Sequence, residues 1–532
     1  MATIDASRLK SLLLSSDELA LVDVREQGVY SQAHLFFAVC VPLSHLEIRM
    51  PRLAPRQSVP MVVCDGGESN NALAREAAAC LQSMGYTQVQ VLAGGPEQWR
   101  SAALEVYSGV NVPSKAFGEF VEHWNDTPRM PADEVQSMRD SGADMVILDS
   151  RPMDEFHRMS IPGGVDCPGA ELVYRVHEMA PDPATTIVVN CAGRTRSIIG
   201  AQSLINAGIP NKVVALKDGT MGWELAGLEV VRGCLDHAPV PSPQALALAS
   251  SRTSRIAERY GIRTVSESEV NTWLADDSRT TMLLDVRTEK EYVAGHFQGA
   301  WHAPGGQLVQ ATDEYVATRN ARIVLCDGAD GVRATMTGHW LVQLGWPEVF
   351  VLAGVPAGAS TGHPDVVVDG LQVADTVSVA DLKTRLASAN PPMLIDLASS
   401  LRYRAGHIDG ALWAVRSRLK DSLAQSKLGA DHTRALVLTA PEPALAHLAC
   451  ADLVQAGYSN VAVYEAGLSE WESAGGAIES GIEQALTSVD DVWFKPYDHT
   501  GRQAERMQEY LTWEVGLVEQ VNREGLANFR QF

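Results

Sequence analysis

Eight cysteines carry most of the nucleophilic chemistry this 532-residue chain could offer: Cys40, Cys64, Cys80, Cys167, Cys191, Cys234, Cys326 and Cys450. None lies in C-x-x-C or another metal-type spacing, so neither a metal site nor a metal cofactor is expected. Cys40, Cys80 and Cys450 fall in apolar strand or helix contexts and read as core. Cys167 stands beside Pro168, and Cys234 lies in a Pro-rich connector. The other three end short β-branched runs. Cys191 opens the stretch Cys191-Ala192-Gly193-Arg194-Thr195-Arg196-Ser197, with two arginines within five residues and no carboxylate near it in sequence. A cysteine at a turn that opens a helix meets inward-pointing N–H groups and the positive end of the dipole, which favour its thiolate. Arg194 and Arg196 favour both that thiolate and an anionic substrate. Gly193 lets the backbone curl around the sulfur, and Ser197 suits a cap of the next helix. Cys191 is therefore the expected nucleophile. Cys64 is followed by Asp65 and Glu68, and Cys326 by Asp327 and Asp330, partly offset by Arg333. Anions disfavour a thiolate. Cys64 and Cys326 are secondary candidates for the reactive thiol, with a structural role the stronger expectation.

The elements that position these cysteines recur four times. An apolar run ends in Asp23, Asp149, Asp285 and Asp396. A second follows 41, 42, 41 and 43 residues later, ending at Cys64, Cys191, Cys326 and Thr439. Next comes an Ala/Leu-rich helical stretch closed by Gly85, Gly208, Gly345 or Gly457, then a third run reaching Gly95, Gly219, Gly354 and Gly467. Alternating strand and helix at this spacing predict right-handed βαβ units on parallel sheets. The expected organisation is four α/β domains at 1–108, 127–231, 263–362 and 374–480, with connectors at 109–126 and 232–262. The segment 481–532 reads as a C-terminal helical extension, with Met507, Leu511, Val515 and Val518 at helical spacing.

The motifs resemble the rhodanese family. Asp285-Val-Arg287, Glu291-Tyr292-x-x-Gly295-His296-x-x-Gly299-Ala300 is that family's D-x-R and E-Y-x-x-G-H-x-x-G-A pattern. Tyr403-Arg-Ala-Gly406-His407-x-x-Gly410-Ala411 repeats it, as do Asp23-Val-Arg25 and Tyr30-x-x-Ala-His34. The second copy departs, with Met159-Ser160 where the family has Gly-His. The resemblance implies an α/β chain of four tandem rhodanese-like domains, each a mostly parallel sheet flanked by helices. It also implies a sulfurtransferase in which Cys191 takes sulfane sulfur from a donor and passes it on, with no cofactor. The donor would be a small anion such as thiosulfate, 3-mercaptopyruvate, or a persulfide. The acceptor would be a thiol, cyanide or a sulfur-acceptor protein. Asp149 and Arg151 match the D-x-R brace, while Arg158 and Arg175 lie on segments that pass the pocket in family members. The fourth loop has no cysteine and is expected to be inactive.

Two other classes compete. Cysteine phosphatases that share this fold use C-x5-R, but position 197 is Ser and Arg196 comes one residue early. A non-catalytic scaffold would suit the three compromised loops but not the cationic second one. Composition narrows the partners. Lys+Arg is 43 against Asp+Glu 65, a net charge of −22, which disfavours nucleic acid and anionic membrane. No apolar run approaches the ~20 residues of a membrane span, and the N-terminus lacks a secretory pattern. A reduced, cytoplasmic protein is expected, monomeric or homodimeric.

Overall fold

Fully buried β-branched runs form the centre of each unit, as expected of parallel strands covered by helices on both faces. The computed structural model describes residues 2–355, 360–426 and 431–532. Positions 356–359 of the expected third domain and 427–430 of the fourth lie outside the described residues.

The second unit has a five-stranded, wholly parallel sheet in the order Arg129–Met130, Val213–Leu216, Thr186–Asn190, Met145–Asp149, Gly164–Asp166. The third repeats it as Arg263–Val265, Glu348–Leu352, Arg322–Cys326, Thr281–Asp285, Trp301–His302. The first orders Thr3–Ile4, Val89–Leu92, Met61–Cys64 and Leu19–Asp23, with Val39–Cys40 also on the last strand. Its edge is completed by Thr318–Arg319 of the third unit, antiparallel to Leu19–Ala20. The fourth orders Leu412–Trp413, Met393–Asp396, Leu436–Thr439 and Val461–Tyr464. The chain is thus four tandem α/β domains with parallel sheets flanked by helices.

The connectors are ordered. Val112–Asn125 and Pro243–Tyr260 are helices, the second capped by Ser242 accepting from the Ala245 N–H at 3.3 Å. Both feed one core shared by units two and three, where Phe117, Leu172, Ile256 and Trp340 are buried together. The C-terminal extension crosses the others. Gln27 N–H donates to Asp491 O, Lys495 pairs with Glu155 of unit two, and helix Gln503–Glu524 lies along helix Val112–Asn125. Its buried face is Met507, Leu511, Glu514, Leu517 and Val521, while Val515 is exposed. The apolar stripe read from Met507, Leu511, Val515 and Val518 therefore corrects to the 3.6-residue period, with a glutamate on its inner line.

Candidate active site

Strand register fixes which residue opens each loop. Asp23 pairs with Cys64 and Asp285 with Cys326, but Asp149 pairs with Asn190 and Asp396 with Thr439. Cys64 and Cys326 are therefore the last residues of buried strands, equivalent to Asn190. Cys191 stands one residue further, as the first residue of its loop, and its counterparts are Asp65, Asp327 and Ala440. Equating Cys64, Cys191 and Cys326, as the sequence repeat invites, is corrected by this one-residue offset.

The offset changes the chemistry. Asp65 accepts from the N–H groups of Gly67 (2.7 Å) and Ala74 (2.9 Å) and from Asn71 Nδ2 (2.7 Å). Asp327 accepts from the N–H groups of Gly328 (2.7 Å) and Ala334 (3.0 Å) and from Arg333 Nε (2.8 Å). In both units the loop cradles an anion that is its own carboxylate. In unit two, no carbonyl or side chain among the described residues accepts from the backbone N–H groups of Gly193, Arg194, Thr195 or Arg196.

The first two carbonyls of the loop are held by the next helix. Thr220 N–H donates to Cys191 O at 2.8 Å and Met221 N–H to Ala192 O at 2.9 Å, from the start of helix Gly219–Leu225. The approach demands glycine at 219. Its φ is +57°, and a Cβ there would lie 2.6 Å from both Cys191 O and Gly193 O. Helix Thr195–Asn206 then leaves the loop with its dipole aimed back at the sulfur.

The Cys191 Sγ lies 3.5 Å from Ser197 Oγ, which donates to Arg194 O at 2.8 Å. Ser197 is thus inside the first helical turn beside the sulfur, and Arg194 occupies the N-cap position without a side-chain cap. Burial raises the Cys191 thiol, while the Arg196 cation and Ser197 pull it down and Glu514 pushes it up. Burial pushes the thiols of Cys64 and Cys326 well above the ordinary range, with Asp23 and Asp285 adding to it. Cys167 is likewise buried and raised.

The two loop arginines have different surroundings. Arg194 binds Glu119 through Nε and Nη2 (both 2.7 Å), Glu122 (2.6 Å) and Asp218 (3.0 Å). It ties the loop to the connector helix. Arg196 forks onto Glu155 (2.8 and 3.2 Å), which also meets Lys495 Nζ at 3.1 Å. Burial would raise the Glu155 carboxyl, but Arg196 and Lys495 hold it well below the usual range. Arg151 forks onto Asp149 (2.8 Å twice) and donates to Met159 O at 2.7 Å. Arg25 and Arg287 make the same contacts in units one and three. Arg158 pairs with Asp498 over the Tyr497 ring, and Arg175 with Glu171 and Ala238 O. None of these partners of Arg158 and Arg175 belongs to the loop.

The C-terminal helix closes the loop. Ala192 packs with Met221, Met507 and Leu511, leaving Cys191 2 % exposed. A Cβ on Gly193 would stand 3.2 Å from Tyr510 Cε1 and 3.4 Å from Glu514 Oε2. Glu514 Oε1 accepts from Tyr510 OH (2.9 Å) and Thr195 Oγ1 (3.2 Å), whereas buried Oε2 has no hydrogen-bond partner among the described residues. Burial raises the Glu514 carboxyl to about 7 against the pull of Lys115. Burial lowers the Lys115 ammonium to about 8, and it sits 4.9–5.3 Å from the centroids of Trp493, Tyr510 and Trp513. Glu119, Glu155, Lys115, Lys495 and Glu514 escaped the sequence reading. Only Glu514 left a signal, as a charge in the inner line of an apolar stripe.

Comparison with known proteins gives this geometry a family. The Rhodanese-like domain model matches residues 5–102, 131–226, 266–355 and 378–474. A thiosulfate sulfurtransferase from Pseudomonas aeruginosa is 43 % identical, with TM-score 0.93, over 100 % of this chain and 99 % of its own. An HTH-type transcriptional regulator, Rv0324 of Mycobacterium tuberculosis (strain ATCC 25618 / H37Rv), is 33 % identical over 100 residues, 19 % of this chain. This chain spans 43 % of that regulator's length. With four matches along its length and a full-length relative at this identity, the chain belongs to the rhodanese family.

Proposed function

We propose that the protein is a rhodanese-type sulfurtransferase in which Cys191 alone carries sulfur. The observation that supports this most is the loop register. Where units one and three hold an aspartate carboxylate in the loop amides, unit two holds a cysteine sulfur and leaves its amides without acceptors. A cradle that binds a carboxylate in sister units suits the terminal sulfur of a persulfide anion. The likeness to a full-length thiosulfate sulfurtransferase supports the same reading.

In the proposed reaction the Cys191 thiolate attacks the outer sulfur of a thiosulfate-type donor. The new S–S bond forms as the donor's S–S bond breaks, and sulfite leaves with the electron pair. The persulfide anion is held by the Gly193–Arg196 amides. Cyanide or a thiolate acceptor then attacks the terminal sulfur and Cys191 departs as thiolate. Arg196, Lys115 and Lys495 supply positive potential for an anionic donor. Arg194, saturated by three carboxylates, positions the loop. On this reading units one, three and four support the second.

Sulfite release from thiosulfate with cyanide as acceptor tests the proposal. Turnover is expected in the unaltered protein and loss of at least a thousandfold in Cys191→Ser. Undiminished turnover in Cys191→Ser rejects it.

A further inference from the structure

A second site, a half-open cleft, lies where four segments of the chain meet and none of the Cys191 machinery takes part. It is a cavity of about 70 Å³ between Phe36 and Phe37 of unit one, the start of the connector helix, Trp346 of unit three and Phe529 of the C-terminal tail. That is several times the space one water needs, and aromatic walls offer water few partners. Phe36 stacks edge-on against Phe37 (4.7 Å between centroids) and Phe529 (6.4 Å).

One cation lines this cavity. Arg319 is fixed by the strand that completes the sheet of unit one, where it pairs with Leu19. Its guanidinium carbon lies 3.4 Å from the Phe37 centroid. Among the described residues, no carboxylate, carbonyl or hydroxyl accepts a hydrogen bond from its side chain. Burial alone holds its pKa down at about 10, with no carboxylate to offset it. Arginines elsewhere in the interior are treated differently: Arg151, Arg194, Arg196 and Arg333 each fork onto one or more carboxylates. A half-buried guanidinium that no protein acceptor meets is costly, and a counter-ion from solution would offset that cost.

A carboxylate in the lining limits what that counter-ion can be. Asp313 also lines the cavity, accepts from Asn111 Nδ2 at 3.0 Å and makes no ion pair with Arg319. Burial and the neighbouring Glu314 raise its carboxyl to about 6. A second negative charge on the ligand is disfavoured beside Asp313, while the aromatic walls favour a flat apolar body.

We propose that this cavity binds a small monocarboxylate with a flat apolar body, its carboxylate forked onto Arg319 and its body against Phe36, Phe37, Trp346 and Phe529. Arg suits the task because its planar fork matches a carboxylate bidentately. The ligand would join unit one, unit three, the connector and the tail, so binding should stabilise the whole chain.

Isothermal titration and thermal melting of the full-length protein with benzoate test this. Benzamide serves as the neutral isostere and sulfate as the dianion without a body. One benzoate per chain is expected, with a raised melting temperature and an affinity at least tenfold above that for benzamide or sulfate. Arg319→Gln should weaken benzoate at least tenfold, and Cys191→Ser should bind it as the unaltered protein does. No saturable binding of benzoate, or benzamide binding equally well, overturns the proposal. So does full affinity in Arg319→Gln. Should Arg319→Gln fail to fold, the benzoate–benzamide comparison on the unaltered protein decides alone.

Discussion

Arg196 and Glu155 form an opposed pair whose replacement should move Cys191 in opposite directions. Arg196 is the foremost of the influences favouring the Cys191 thiolate, and Glu155 binds it through two oxygens at 2.8 and 3.2 Å. A cation beside a titrating thiol is worth on the order of one to three powers of ten in thiolate population. Because Glu155 already neutralises much of that charge, the lower end applies, roughly tenfold or about 1.4 kcal/mol. Arg196→Gln should lower kcat/KM for thiosulfate about tenfold below the thiol titration and move the alkaline-rising limb to higher pH. Glu155 keeps Lys495 at 3.1 Å, so the variant is not left with a wholly unpaired carboxylate. Glu155→Gln frees the Arg196 charge and should move the limb to lower pH. The assay is the pH profile of kcat/KM, with the ultraviolet absorbance of the thiolate as a direct readout of the ionisation itself. If both variants lose rate while neither limb moves, Arg196 only braces the loop and the electrostatic reasoning fails.

Two further outcomes follow from the covering segments. Glu514 has its carboxyl raised to about 7, above its unfolded range, with Lys115, Glu119, Arg194, Tyr510 and Cys191 as the titratable neighbours. A raised carboxyl contributes stability that is present at low pH and lost as pH rises through the folded value. Glu514→Gln should therefore flatten the loss of thermal stability between about pH 5 and 7, by on the order of 1–3 kcal/mol. An unchanged slope would show that the carboxyl is not held protonated. Gly219→Ala must push Cys191 O and Gly193 O, both 2.6 Å from the new Cβ, and must hold φ at +57°. It should cost about 1–3 kcal/mol and turn the loop amides away, cutting sulfur transfer more than tenfold. Wild-type transfer by the variant at a temperature where it is fully folded would show that the loop does not depend on that approach.

The repeat was legible because its signal is local. Each parallel strand is covered on both faces, so its β-branched run stands out, and the Asp that ends Met145–Asp149 marks every copy. In the second connector the structure adds the caps Ser242 and Gly261 around the helix Pro243–Tyr260. The register of the cysteines was not legible in the same way. Separations of 41 and 42 residues look equivalent along a chain, yet one residue moves a thiol from the end of a strand into the loop. The loop arginines were visible but their partners were not. Glu119 lies 75 residues from Arg194, and Glu514 lies 319 residues from Thr195. Only the folded chain brings the connector and C-terminal helices onto the loop. The outward Val515 shows the remaining limit, since an apolar residue at i+8 competes with a glutamate at i+7 and the buried face takes the glutamate.

Mass-spectrometric mapping of cysteine persulfides after incubation with thiosulfate decides whether sulfur is carried on Cys191 alone. One additional sulfur on Cys191, with Cys64 and Cys326 unmodified, is the predicted result. A persulfide on Cys64 or Cys326 with none on Cys191 would contradict the account.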